Sequence, residues 1–163
     1  MAAMNWVGQT NQRLYQCRLL LEQLPAAAEA NQGQALTQGL NDAALLQLLA
    51  AYRCYLNELA QAAGVNSRVE SLPQLLQQTS LVTGDMRQWQ ALSEDVFSWF
   101  YRFLQAVEQL GWPALSGVEP MLATRLITST ADDPVSGDGE DVSGWLACFH
   151  QLIDEQRANQ RES

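Results

Sequence analysis

The segment from residue 93 to residue 111, SEDVFSWFYRFLQAVEQLG, constrains the fold more than any other part of the chain. Ser93 followed by two carboxylates is typical of a helix start, and Gly111 followed by Pro113 is typical of a helix end. At about 100° per residue the apolar arc covers more than half of the circumference. Its members are Val96, Phe97, Trp99, Phe100, Tyr101, Phe103, Leu104, Ala106, Val107 and Leu110. An arc this wide predicts a central helix that packs against at least two others.

Other segments also carry apolar residues at helical spacing, and the main ones are 10–24, about 41–63 and 142 to about 158. Pro25 ends the first of these and Gly64 closes the second. A short helix is expected at 71–78, and residues 25–41 either hold another short helix or extend the second main helix. The sequence therefore predicts one all-α domain over residues 1–163, an up-and-down bundle of four main helices with short connecting helices.

Residues 131–141, ADDPVSGDGED, combine five carboxylates with one proline and two glycines. This composition predicts an acidic flexible loop. Calcium binding is the alternative function for the loop, but the ligand spacing of an EF-hand is not matched. The polar tail at 159–163 is expected to fray.

The charge balance limits the partners of the chain. Eighteen acidic residues and nine arginines give a formal net charge of −9, which disfavours contact with nucleic acid or anionic lipid. The chain has no lysine, so Schiff-base chemistry and a P-loop lysine are excluded. No basic run precedes an apolar segment at the N-terminus, and no run of eighteen apolar residues occurs. We therefore expect a cytoplasmic protein that makes no contact with membranes.

The residue types that usually carry catalysis or metal binding form no familiar set. The single histidine, His150, lies about 200° around its helix from Cys148, so these two side chains cannot bind one metal ion. No E-x-x-H, C-x-x-C, G-x-S-x-G or G-x-G-x-x-G motif occurs. The sequence predicts no metal, no cofactor and no catalytic residues, and it favours a protein that is not an enzyme. Cys54 falls on the polar face of its helix, where an inert surface thiol is favoured over a reactive one.

Two apolar side chains, Tyr15 and Leu19, fall on the outer face of the first main helix. Either a short segment of the chain covers them or they form a partner surface. Together with the missing catalytic sets, this pair favours a non-enzymatic interaction or scaffold protein that binds a protein partner or forms a homodimer. A further alternative is an acidic mimic of nucleic acid that occupies a basic partner.

A second function hypothesis is a small-ligand-binding or catalytic helical bundle. Its pocket would lie among four aromatic side chains, namely Tyr52, Tyr55, Trp99 and Tyr101. Arg13 falls at the edge of the inward face of the first helix and either extends to the rim or contacts an anion. In this hypothesis Arg13 or Arg53 holds an anionic group of the ligand.

Two segments resemble a family of short, uncharacterised, all-helical gammaproteobacterial proteins. Residues 10–24 contain a T-N-Q-x-L-Y core, and residues 44–60 contain an A-Y-R-x-Y/F-L-x-E pattern. The matching positions are Thr10, Asn11, Gln12, Leu14 and Tyr15, followed by Ala51, Tyr52, Arg53, Tyr55, Leu56 and Glu58. The family is a domain of unknown function, so the resemblance implies a helical fold and a bacterial origin but no activity.

Overall fold

The computed structural model describes residues 3–110, 112 and 141–163. Seven helices lie in this part of the chain: α1 (Trp6–Glu22), α2 (Leu24–Glu29), α3 (Gly33–Ala62), α4 (Leu72–Gln78), α5 (Gly84–Glu94), α6 (Trp99–Gln109) and α7 (Val142–Glu162). The described residues contain no strand, which confirms the all-α class. Most of the predicted acidic loop at 131–141 lies outside the described residues, and its last residue, Asp141, caps the N-terminus of α7 through the N–H of Gly144.

Contacts between distant segments show the directions of the helices on one side of the bundle. Arg157, late in α7, forms an ion pair with Glu58, late in α3, with 2.6 Å between nitrogen and oxygen. The same guanidinium donates a hydrogen bond to Asn11, in the first half of α1. α3 and α7 therefore run in the same direction, and α1 is antiparallel to both.

The direction of α6 follows from its ring contacts with α7. Trp99, the first residue of α6, contacts Phe149, whereas Phe103, one turn later, contacts Trp145 near the start of α7. α6 is therefore antiparallel to α7. The main helices α1, α3, α6 and α7 alternate in direction along the chain, which is the predicted up-and-down arrangement.

The predicted start of the central helix is wrong. Ser93 belongs to the last turn of α5, and the Oδ1 atom of Asp95 accepts the N–H of Phe97 in the turn that follows. The cap of α6 is Ser98, whose hydroxyl accepts the N–H of Tyr101 at 3.0 Å. The central element is thus two short helices joined by a turn.

This break in the helix exposes two side chains that were expected in the core. Val96 is 53% exposed and Phe97 is 81% exposed, because both lie in the turn and not on the inner face of a helix. Helix α5 is not among the helices expected from the sequence, and it supplies Trp89, which is fully buried. Thr83 caps this helix through the N–H of Met86.

Trp89 is the centre of an aromatic core formed by α3, α5, α6 and α7. The rings around it lie 5.0–6.2 Å away between centroids and belong to Tyr52, Tyr55, Trp99, Phe100 and Phe149. The ring pairs are tilted, edge-on or, for Phe149, stacked, and aromatic pairs attract one another at such distances. The core therefore depends on α5, a helix that was not predicted from the sequence.

A buried polar side chain, Gln156 of α7, crosses this core and joins three helices. Its Oε1 atom accepts hydrogen bonds from the Tyr55 hydroxyl at 2.8 Å and from the Trp89 indole N–H at 2.9 Å. Its Nε2 atom donates to the Gln88 side chain and to the Asp85 carbonyl. Both ends of the amide are therefore satisfied, as burial of a polar group requires.

The boundaries of the other main helices differ from the prediction in length. α1 begins at Trp6, four residues early, because Asn5 caps it through the N–H of Gly8. α3 begins at Gly33, so residues 33–41 extend the second helix rather than forming a separate one. Gly64 ends α3 as predicted, with a left-handed φ of +79° that other residues rarely adopt. α7 continues to Glu162, beyond the expected end near residue 158.

Candidate anion-binding site

A cavity of about 230 Å³ lies where α1, α3 and the segment before α4 meet. Three of the nine arginines of the chain line it: Arg13 from α1, Arg53 from α3 and Arg68 from the segment before α4. Trp6, in the first turn of α1, forms part of the wall, and Cys54 lies beside Arg53. The cavity therefore concentrates positive charge in a chain that is acidic as a whole.

The antiparallel packing of α1 on α3 places the first two arginines. Arg13 is half-buried and donates a hydrogen bond from Nη1 to the Gln47 side chain at 3.1 Å, so part of its guanidinium is fixed against α3. Tyr52 of α3 is buried, and Arg53, the next residue, lies about 100° further around the helix and is exposed. Tyr52 thus belongs to the core, whereas the next residue of α3, Arg53, lines the cavity.

The third arginine is placed by a buried amide. Asn57 of α3 accepts the N–H of Val69 at 2.9 Å and donates to the carbonyl of Val69 at 2.8 Å. Its Nδ2 atom also donates to the carbonyl of Arg53 at 2.8 Å. The Asn57 side chain therefore holds the backbone of Val69 against α3. This contact sets the positions of Arg68 and Glu70 on either side of Val69.

The charges at the cavity are mostly unpaired. Among the described residues, neither Arg53 nor Arg68 makes a hydrogen bond or ion pair through its guanidinium, and the Glu70 carboxylate forms no ion pair. Unpaired guanidinium groups that share a cavity attract carboxylates and phosphates, which they can bind through two parallel hydrogen bonds.

Among the described residues that line the cavity, Cys54 carries the one nucleophilic side chain beside the arginines. Burial raises the pKa of its thiol, Arg13 and Arg68 lower it, Glu58 raises it, and the net effect is an increase. A raised pKa disfavours the thiolate form of Cys54, and the inert thiol stays a prediction.

Of the residues proposed from the sequence as ligand contacts, the structure brings Arg13 and Arg53 together at the cavity. Tyr52 and Tyr55 lie instead in the aromatic core and contact Trp89.

The cavity does not lie among Tyr52, Tyr55, Trp99 and Tyr101, where the sequence predicted an aromatic pocket. Trp99 also contacts Trp89, so Trp89 occupies the space between Trp99, Tyr52 and Tyr55. Tyr101, the fourth of these residues, is half-buried on α6.

The two residues proposed as a partner surface are exposed. Tyr15 is 51% exposed and Leu19 is 39% exposed on α1. The guanidinium of Arg18 lies 4.9 Å from the centre of the Tyr15 ring and also pairs with Glu22 at 3.6 Å. Arg18, on the same helix, thus covers part of the Tyr15 ring.

Arg68, Glu70 and Asn57 are the site residues that the sequence did not indicate. The segment 66–70 has no helical period, and the pairing of Asn57 with Val69 joins positions twelve residues apart. The only local signal is Gly64, which ends α3 and turns the chain back along it.

Two features are absent from residues 3–110, 112 and 141–163. No group of three or more histidine, cysteine, aspartate or glutamate side chains is arranged to hold a metal ion in that part of the chain. No helix there has the length and apolar character needed to cross a membrane.

Comparison with known proteins gives one match. Residues 4–163 match the model described as "Family of unknown function (DUF6586)". No curated protein and no solved structure matches the chain. The match confirms the resemblance to a helical family of unknown function and extends it from two segments to nearly the whole chain.

Proposed function

The chain belongs to the DUF6586 family, whose function is unknown, and we propose that it binds a small anionic metabolite in the arginine-lined cavity. The observation that carries this proposal is the convergence of Arg13, Arg53 and Arg68 on one cavity, where two of the three guanidinium groups have no partner among the described residues. In water such groups repel one another, so an anion between them stabilises the arrangement.

The surroundings of the cavity favour an anion further. Trp6 opens α1, so the positive end of the dipole of a 17-residue helix lies at the cavity wall. The volume of about 230 Å³ falls below the range of roughly 300–1,000 Å³ that is usual for drug-sized ligands. The ligand is therefore small, with a carboxylate or phosphate group, and it is not a nucleotide or a large cofactor.

Binding, rather than turnover, is the activity proposed for this site. A nucleophile needs an adjacent base, and no histidine lines the cavity beside Cys54. His150, the single histidine, lies on the exposed side of α7. A small metabolite as ligand is compatible with the cytoplasmic location and bacterial origin that we predict from the sequence.

The test is a thermal-shift titration of the full chain with inorganic phosphate, sulfate and small carboxylates, with chloride at the same ionic strength as reference. A ligand at 100 times its Kd adds about 2.7 kcal/mol to the free energy of unfolding, which raises Tm by roughly 5–10 °C for a chain of this size. The Arg53→Gln/Arg68→Gln double variant should lose the response. Arg18→Gln is the matched control, because Arg18 is exposed on α1 and pairs with Glu22.

Two results would refute the proposal. Either no anion raises Tm beyond the effect of chloride, or the double variant responds as the unmodified protein does. A second readout is the rate at which iodoacetamide alkylates Cys54, located by mass spectrometry. A bound anion should slow that rate, because Cys54 lies in the cavity wall.

A second candidate function is the interaction role, with a second copy of this chain as the partner. The exposure of Tyr15 and Leu19 on α1 favours it. Light scattering should then show a dimer that Tyr15→Ser/Leu19→Ser converts to a monomer. A strict monomer, with no protein retained in a tagged pull-down, would count against this role.

A further inference from the structure

The cavity that we propose as an anion site also contains one carboxylate. We infer that its ligand is an acidic α-amino acid or a close analogue, whose carboxylates contact the arginines and whose ammonium contacts Glu70. This inference rests on the proposed function and narrows it to a ligand that carries both signs of charge.

The position of Glu70 follows from the buried amide that holds this segment. Val69 is 1% exposed and lies against α3, where both its backbone groups are bound by Asn57. Arg68 and Glu70 flank the buried Val69 and are themselves exposed, so both side chains lie away from the core. Both line the cavity, and both are exposed at its edge.

These two opposite charges nevertheless form no ion pair with each other. Each therefore remains available to a separate group of the ligand. The backbone N–H of Glu70 is bound by the Gln74 side chain at 2.8 Å, which fixes the main chain here without using the carboxylate.

The balance of charge then selects among small anions. Three guanidinium groups and one carboxylate line the cavity, so it presents both signs of charge to a ligand. A ligand with two carboxylates and one ammonium matches both signs. A dicarboxylate without an amine meets the same arginines but places its own negative charge near Glu70, and this repulsion selects against it.

The experiment is isothermal titration calorimetry of the full chain at low ionic strength. Aspartate and glutamate are compared with succinate and glutarate, which have two carboxylates but no amine, and inorganic phosphate is a further probe. Because Glu70 is exposed, we expect the amino acids to bind about two- to fivefold more tightly than the matching dicarboxylates.

The Glu70→Gln variant should abolish this preference by weakening the amino acids and strengthening the dicarboxylates. Glu22→Gln, an exposed acid on α1, should leave the preference unchanged. Dicarboxylates that bind as well as the amino acids, or a preference that persists in Glu70→Gln, would overturn the inference and leave anion binding intact. Failure of the dicarboxylates, the amino acids and phosphate alike would overturn both proposals.

Discussion

Replacement of Gln156 by leucine should lower the free energy of unfolding by about 2–4 kcal/mol. The leucine side chain is apolar and offers no acceptor to Tyr55 and Trp89, whose polar groups lie in the aromatic core. Gln156 is 1% exposed, so water does not replace the lost amide without a rearrangement of the core.

The magnitude follows from these two donors. An unsatisfied buried donor costs roughly 1–3 kcal/mol, so the loss of both acceptor contacts costs about 2–6 kcal/mol. The additional apolar surface of leucine returns about 1–2 kcal/mol, so the midpoints of the two ranges leave a net loss of about 2.5 kcal/mol. For a chain of this size the net loss corresponds to a fall in Tm of about 5–15 °C. Differential scanning calorimetry and urea denaturation measure it, with Gln151→Leu on the exposed side of α7 as the matched control.

A double-mutant cycle with Tyr55→Phe separates this explanation from a simple packing defect. In the otherwise unmodified chain, Tyr55→Phe should cost about 0.5–1.5 kcal/mol, because one hydrogen bond is lost. In the Gln156→Leu background it should cost nothing or restore about 1 kcal/mol, since it removes a hydroxyl that is already unpaired. If the losses in the free energy of unfolding from Gln156→Leu and Tyr55→Phe simply add in the double variant, this explanation is refuted.

Three further predictions concern the buried Glu58–Arg157 ion pair, the Tyr52 hydroxyl and the Cys17 thiol. Glu58→Leu should cost about 2–3 kcal/mol, because it leaves the largely buried Arg157 without its carboxylate, and a second change, Arg157→Met, should restore most of the loss in urea denaturation. Burial raises the pKa of Tyr52, so the folded state keeps this proton where the unfolded state loses it. Stability should therefore fall as the pH rises above about 10, and Tyr52→Phe should make that fall shallower in alkaline melts. Burial raises the pKa of Cys17 to about 12, so iodoacetamide at pH 8 should modify Cys54 before Cys17, and the reverse order, detected by mass spectrometry, would contradict the structure.

The fold class and the order of the main helices could be predicted because long apolar stripes specify helices whatever their neighbours are. The start of α6 could not be predicted, because Ser93 and Ser98 are both good N-caps and local sequence does not choose between them. Tertiary packing decides, since a start at Trp99 allows α5 to turn away and bring Trp89 into the core.

Only part of the candidate site, Arg13 and Arg53, could be predicted from the sequence. Arg13 and Arg53 lie on helices, so the helical period places each on the edge or outer face of its helix. Arg68 and Glu70 follow the end of α3, where no period applies, and the hydrogen bonds of Asn57 to Val69 place them. Such long-range pairing is a property of the folded chain and has no local pattern.

The alternation of core and cavity residues along α3 has a consequence for how related chains can diverge. Tyr52 and Tyr55 face the aromatic core, whereas Arg53, Arg68 and Glu70 are exposed and are not part of it. Substitutions at the exposed positions can alter the ligand preference that we propose while the architecture persists. Selection can thus modify recognition and structural integrity almost independently within one small domain.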